Sequence, residues 1–345
     1  MIQADPFAAQ ILENGARGFA GYAASLLFER HPEVIGDGST VLDWRCHLAQ
    51  RVLELAAAVR TGEPDIFAAR ARWIRVATQA RDQSENPVRA SFECLHDVLA
   101  DRLPRDAFDA AAPHLSAALK DFAHPPSPPP TEVDVSTPTG KLSLRFLEKS
   151  LEGDGRGAIQ LLLDAVEGGL AIHSAYLDVL MVAQREVGRL WHHGELGISE
   201  EHLVTACTKR AMSVLCHHGS AVDAVGKTVV SASVAGNVHE IGTRLVADFF
   251  ELAGWRSVCL GADVPSSEIR VAASYFDADL LVLSATLASQ LKAVAETIEL
   301  VQPARIPILV GGQAFEDAPN TWKRVGADAF AASADWAIEI GAQLA

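Results

Sequence analysis

Apolar positions along the chain fall into two regimes. From residue 7 to 123 they recur at helical spacing, as Ile11, Phe19, Tyr22, Leu26, then Leu48, Val52, Leu55, Val59, then Phe67, Trp73, Ile74, Ala77, then Phe92, Leu95, Val98, Leu99. The pattern predicts an all-helical domain over 1–123, with Phe19, Trp44, Trp73 and Phe92 in its core. The run His124-Pro125-Pro126-Ser127-Pro128-Pro129-Pro130-Thr131, continuing to Pro138, interrupts it. Proline density disfavours helix and favours an extended spacer, so 124–140 reads as a linker. Helical spacing resumes over 142–218, with breaks at Gly153-Asp154-Gly155 and from Gly194 to Gly197. Those breaks predict about four helices, packed as a small bundle over 141–222.

At Lys227 the period changes, and short β-branched runs begin to alternate with helices. Strands are predicted at 228–233, 257–260, 279–284, 306–310 and 329–332, with helices starting near Ile241, Ser266, Ala288, Ala318 and Asp335. Five βα units give a Rossmann-like (flavodoxin-like) five-stranded parallel sheet over 223–345. The expected architecture is therefore all-α plus α/β.

Composition narrows the function classes. The chain has 345 residues, 49% of them hydrophobic and 21% charged. No apolar run approaches the roughly 18 residues of a membrane span. Met1 is followed by Gln3-Ala4-Asp5-Pro6 rather than a basic start and an apolar block, so a cytoplasmic location without membrane contact is expected. The net charge of −15 argues against a broad nucleic-acid surface. Cys46, Cys94, Cys207, Cys216 and Cys259 lack paired close spacing and read as reduced, mostly buried thiols. His173, His217 and His218 have no partner pattern and read as structural or surface residues.

Candidate chemistry gathers at the carboxyl ends of the predicted strands, where open α/β sheets bind ligands. His239 lies in Gly236-Asn237-Val238-His239-Glu240-Ile241-Gly242 after the first strand, Ser284-Ala285-Thr286 closes the third, and Gly311-Gly312 closes the fourth. Imidazole is a favoured transition-metal ligand. The glycines admit a bulky group close to the backbone, and the serine can hydrogen-bond a heterocycle. One elongated ligand carrying a metal would reach all three.

His-x-x-Gly, then 41 residues, Ser-x-Thr, 24 residues and Gly-Gly resembles the base-off, His-on cobalamin-binding domain, and the resemblance covers residues 142 to 345. It implies that His239 is the lower cobalt ligand. It also implies that Asn237, Val238, Glu240, Ile241, Gly242, Ser284, Thr286, Gly311 and Gly312 line the cofactor. That family has Asp where this chain has Asn237, and a neutral amide would orient the imidazole less strongly. Upstream, Trp191, nine residues and Glu201-His202 resemble the signature of cobalamin photoreceptors of the CarH type. This implies adenosylcobalamin, with Trp191, Glu201 and His202 on its upper face and His192 as the second cobalt ligand after photolysis. Methyl-carrying corrinoid proteins have a similar helical cap but need an open upper face.

CarH-type repressors carry a basic DNA-binding domain, whereas residues 1–123 hold 13 Lys and Arg against 17 Asp and Glu. Direct DNA binding is not expected. The arrangement resembles the photocobilins, which add a linear tetrapyrrole, and so implies biliverdin as a second chromophore. The leading expectation is a non-enzymatic light sensor whose homo-oligomer or protein-partner contacts respond to light. The alternatives are a corrinoid methyl carrier of a methyltransferase system and a dark, cobalamin-responsive antirepressor.

Overall fold

The computed structural model describes residues 4–33, 38–123, 130–219, 222–316 and 320–345. The chain divides into two compact units, one of Met1–Ser127, Ala285–Glu299 and Val310–Phe330, the other of Pro128–Ser284, Leu300–Leu309 and Ala331–Ala345. The proline-richest stretch, 124–129, and the helix start expected near Ala318 lie outside the described residues.

The first unit is built on α1 (Pro6–Arg30), α2 (Val41–Thr61), α3 (Pro64–Ala80), α4 (Asn86–Arg102) and α5 (Arg105–Asp121). Their ends follow local rules. Asp5 accepts from the Ala8 amide at 2.8 Å ahead of Pro6, Thr40 and Asp43 form a capping box, and Gly62 closes α2 at φ 68°. Small buried residues, Ala9, Ala16, Ala20, Ala23 and Ala24 on α1 with Ala56 and Ala58 on α2, let these two helices lie close together. Leu12, Leu27, Leu48 and Leu55 are fully buried, and each contributes roughly 1.5–3 kcal/mol. Of the four aromatic residues expected in the core, Phe92 is buried. Phe19 and Trp44 are half-buried, and Trp73 is at the surface with Arg70 stacked 4.0 Å from its ring centre.

The sheet-derived segments of this unit are held to the helices by polar contacts. Gln50 donates to Ser289 Oγ at 3.4 Å, and Lys292 pairs with Glu13 at 3.1 Å. Arg324 pairs with Glu63 at 3.2 Å. Glu13 also holds Arg60 at 2.7 Å, beside a cavity of about 190 Å³. The expected boundary at the linker is thus crossed by side-chain contacts. No periodicity in the sequence announces them.

In the second unit the chain from 130 is tied down before its first helix. Thr131 Oγ1 donates to Glu186 at 2.9 Å, and Glu132 pairs with Arg185. The helix α6 (Pro138–Leu151) starts inside the expected linker, capped by Thr137 accepting from the Gly140 amide. The spacer reading of 124–140 is corrected accordingly: proline is well placed in a first helical turn, where its missing N–H costs nothing. Next come α7 (Gly155–Glu167), a continuous rod made of α8 (Ile172–Ser174), a π-helical turn (Ala175–Leu180) and α9 (Met181–His192), and then α10 (Ile198–His218). These match the four expected bundle helices. Their core joins Phe146, Leu162, Tyr176, Met212 and Leu215 with Phe249 of the helix after the first strand.

The sheet runs β2 (Arg256–Cys259), β1 (Thr228–Ser233), β3 (Leu280–Ser284), β4 (Ile308–Gly311), β5 (Ala329–Phe330), in that spatial order. β1 lies parallel to both neighbours, Val230 facing Val258 and Leu281. All six β1 residues are buried, as helices covering a parallel sheet require. Between and after the strands lie α11 (Ile241–Leu252), α12 (Ser266–Tyr275), α13 (Leu291–Val301), α14 (Gln313–Glu316), α15 (Thr321–Val325) and α16 (Ala334–Leu344). The predicted strands appear with small shifts, β4 starting two residues later and β5 ending two residues earlier. A 3₁₀ turn, Ala288–Gln290, occupies the start expected for α13. Among the described residues no helix is long and apolar enough to cross a membrane.

Candidate functional site

The loop from β1 to α11 fixes the backbone of His239 and leaves its ring outside. Ser233, the last residue of β1, donates from Oγ to the His239 carbonyl at 3.1 Å, and the His239 amide donates to Asn237 Oδ1 at 3.2 Å. Asn237 is fully buried and donates from Nδ2 to the Ser284 carbonyl at 3.0 Å. Its amide therefore fastens the loop to the end of β3. A neutral amide at 237 is expected to orient the imidazole less strongly than an aspartate, and both polar atoms of Asn237 are engaged with main chain. The neighbouring loop adds a second clamp, Asp263 accepting from the Gly236 amide at 2.7 Å.

The His239 side chain is exposed, and among the described residues no hydrogen bond is made to either ring nitrogen. Beside it Val238 stands 70% exposed. Gly242, in the first turn of α11, faces open space: a Cβ built there meets nothing within 4 Å. Ile241 is half-buried against the bundle core. The Glu240 carboxylate accepts from Lys209 of α10 at 2.9 Å.

The next two strand ends differ in chemistry. Ser284 is half-buried, and its main chain accepts from Val234 and Asn237 while its hydroxyl makes no bond among the described residues. After it, Gln290 Oε1 accepts from the amides of Thr286 (2.8 Å) and Leu287 (2.9 Å), which shapes the turn into α13. Gly311 closes β4, its carbonyl accepting from Ala285 at 3.1 Å. Gly312 follows at φ 98°, a conformation that other residues adopt only under strain. Ser233, Gln290 and Lys209 were missed from the sequence. Ser233 and Gln290 lie within six residues of quoted motifs, whereas Lys209 gave no signal.

The bundle residues sit at two facing helix ends. Trp191 and His192 finish α9, Trp191 half-buried and His192 only 5% exposed with its ring 5.9 Å from that of His193. His192 is thus no loop residue. Glu201 and His202 lie in the first turns of α10, bonded to each other at 2.5 Å, and Glu201 also accepts from Thr205 at 2.7 Å. Exposed Ile198 and Leu203 flank them.

A partner-free imidazole, an unbonded hydroxyl, glycines without steric neighbours and apolar side chains left in the open fit a broad planar group bearing a metal that takes a nitrogen ligand. Elsewhere, ligand atoms of Cys216, Asp248 and Glu251 lie within 4.8 Å of one another. Asp248 is already engaged by Arg244 (3.1 Å) and Tyr176 (2.9 Å), and burial beside these carboxylates pushes the Cys216 thiol up to about 12. A protonated thiol is a poor metal ligand. The mostly-buried reading of the thiols holds for Cys94 and Cys207, while Cys46 and Cys259 are exposed.

Residues 227–339 match the family model of the B12 binding domain, and residues 144–215 match a second model of the same description. These matches support the cobalamin-binding family for this part of the chain, with a corrinoid as its cofactor. Dimethylamine corrinoid protein 1 of Methanosarcina acetivorans is 29% identical over 169 residues, covering 46% of this chain and 76% of that protein. A corrinoid protein of Desulfitobacterium hafniense is 25% identical over 199 residues, covering 55% and 91%. The solved monomethylamine corrinoid protein of Methanosarcina barkeri shares the fold, with a TM-score of 0.53 and 19% identity over 59% of this chain and 99% of that one. The likeness reaches corrinoid binding.

Proposed function

We propose that the protein carries a corrinoid held base-off by His239 and serves as the carrier subunit of a methyl-transfer system. The observation that carries the corrinoid reading is the exposed His239 ring, without a partner, on a loop whose backbone is fixed from three sides. Likeness to dimethylamine corrinoid proteins favours methyl carriage. On this reading the bundle helices α6–α10, which begin at Pro138, and the sheet that follows them would hold the cofactor.

When bound, a corrinoid supplies a cobalt able to accept and release an alkyl group. The chain's part would be to offer the His239 imidazole to that metal and to take the cofactor against Val238, Gly242 and Ser284, with Thr286, Gly311 and Gly312 as further residues that would meet it. A methyltransferase subunit would then approach the upper face, where Ile198, Leu203 and His202 are exposed.

A second reading is favoured by a specific observation. Trp191, Glu201 and His202 stand at the adjoining ends of α9 and α10, and the signature they form resembles that of adenosylcobalamin light sensors. In that reading His192, buried at the end of α9, would be a second imidazole available to the cobalt. Biliverdin and a light-dependent oligomer belong to this reading alone. Loading the protein with methylcobalamin or adenosylcobalamin, and recording spectra and size-exclusion profiles in the dark and after anaerobic green light, separates the two. Methyl carriage predicts preference for methylcobalamin and an unchanged elution volume after light. An adenosylcobalamin spectrum that bleaches together with a shift in size would replace it with the sensor reading.

A further inference from the structure

Glu240 follows the candidate ligand directly and occupies the N-cap of α11, where a carboxylate would ordinarily accept from the first free amides of the helix. It makes no such bond. One oxygen instead takes Lys209 Nζ at 2.9 Å, and the other lies against Gly261, where a Cβ would come within 3.1 Å of it. Gly261 has φ +82°, so the turn that admits the carboxylate favours glycine on two counts. The acid is thus spent on a helix of the bundle rather than on its own.

Lys209 lies in the middle of α10, seven and eight residues past His202 and Glu201, or about 10–12 Å along the axis. A further contact joins the same two helices, Arg244 Nη2 donating to Ser213 Oγ at 3.2 Å. α10 therefore has one end at the candidate upper face and its middle tied to the residue after His239. These two contacts link α10 to the histidine loop and to α11.

We propose that the Lys209–Glu240 pair is a positioning device that sets how strongly the His239 imidazole binds cobalt, coupling bundle position to the lower axial bond. This rests on the reading of His239 as the cobalt ligand. Glu240 then acts through its neighbour and touches no cofactor atom. The pair is part-exposed, with side chains 31% and 43% accessible, so its leverage is that of a surface ion pair, at most about fivefold in the ligation equilibrium.

The test uses the full chain loaded with cob(II)alamin, read by the nitrogen splitting of its electron paramagnetic resonance spectrum and by the cobalt(II)/cobalt(I) midpoint potential. Reduction to cobalt(I) by one electron releases the lower ligand, so a fivefold weaker imidazole bond raises the midpoint by about 40 mV even when ligation is complete. E240Q and K209M are each expected to raise it equally, the double variant no further, and the reversed pair E240K with K209E to restore it. Unchanged potentials in both single variants, or losses that simply add, overturn the proposal. H239A keeps the two readings apart. With the histidines labelled with 15N, imidazole splits the signal into doublets and the cofactor's own benzimidazole into triplets: triplets in the labelled native chain, or doublets that survive in H239A, remove His239 as the ligand, whereas doublets lost in H239A with potentials unmoved in E240Q and K209M remove the tether alone. K209M, on a different helix, keeps the test decisive if E240Q fails to fold.

Discussion

At the level of single residues, the polar groups of this molecule differ mainly in whether they have found partners. His114 on α5 is fully buried, and neither ring nitrogen has a hydrogen bond among the described residues. Burial alone lowers its pKa from 6.5 to about 4. The unfolded chain takes up a proton near pH 6.5 that the folded chain refuses until about pH 4, so stability falls as pH drops through this window and levels off below it. The contribution is about 3 kcal/mol. Urea unfolding of H114L at pH 7 and pH 4.5 is expected to show a smaller loss than the native chain, and equal losses would refute the assignment. Gly312 gives a second residue-scale test. With φ at 98°, G312A is expected to cost about 1–3 kcal/mol in thermal or urea unfolding, and to weaken cobalamin uptake if the tail passes beside it.

Among elements, α2 and α3 are joined by a buried charge cluster. Glu54 meets Arg51 at 2.6 Å and Arg70 at 3.1 Å, with Arg51 and Glu54 almost wholly buried. E54Q would leave the Arg51 guanidinium buried without its counter-charge, at a cost of about 3–5 kcal/mol. A lower urea midpoint with an unchanged slope is the expected result. This cluster also marks what the sequence made legible. The strands were legible because runs such as Val229-Val230 and Leu280 to Leu283, buried on both faces, leave continuous apolar blocks. The bundle helices were legible through their glycine breaks. The ordered segment at 131–132, the amide role of Asn237 and the Lys209–Glu240 pair were not, because each depends on a partner tens of residues away and on no local period. The His239, Ser284 and Gly311-Gly312 motif was found by spacing, while the groups that stiffen it, Ser233 and Gln290, look unremarkable in a string of letters.

For the molecule as a whole, the segments 285–299 and 310–330 belong to one compact unit with the N-terminal helices. The matched regions account for only 46–55% of this chain but for 76–91% of the corrinoid relatives described above. Deleting residues 1–127 is therefore expected to leave corrinoid uptake in place while lowering the thermal midpoint, because Ser289, Lys292 and Arg324 lose Gln50, Glu13 and Glu63. A fragment that melts unchanged would mean that these contacts contribute nothing. A fragment that no longer takes up cobalamin would make the helices part of the site.

The π-helical turn at Ala175–Leu180 has a consequence for how this molecule could be re-engineered. A π turn holds one residue more than an α turn would over the same rise. Removing a single residue there would let the rod close into uninterrupted α-helix. Because the turn absorbs that extra residue, the segments on either side of the cut would keep the faces they now present. The same deletion made in the regular helix of α9 ahead of Trp191 would instead swing Trp191 and His192 by about 100°. The π turn is thus a stretch where the rod can lose a residue without re-aiming either side chain.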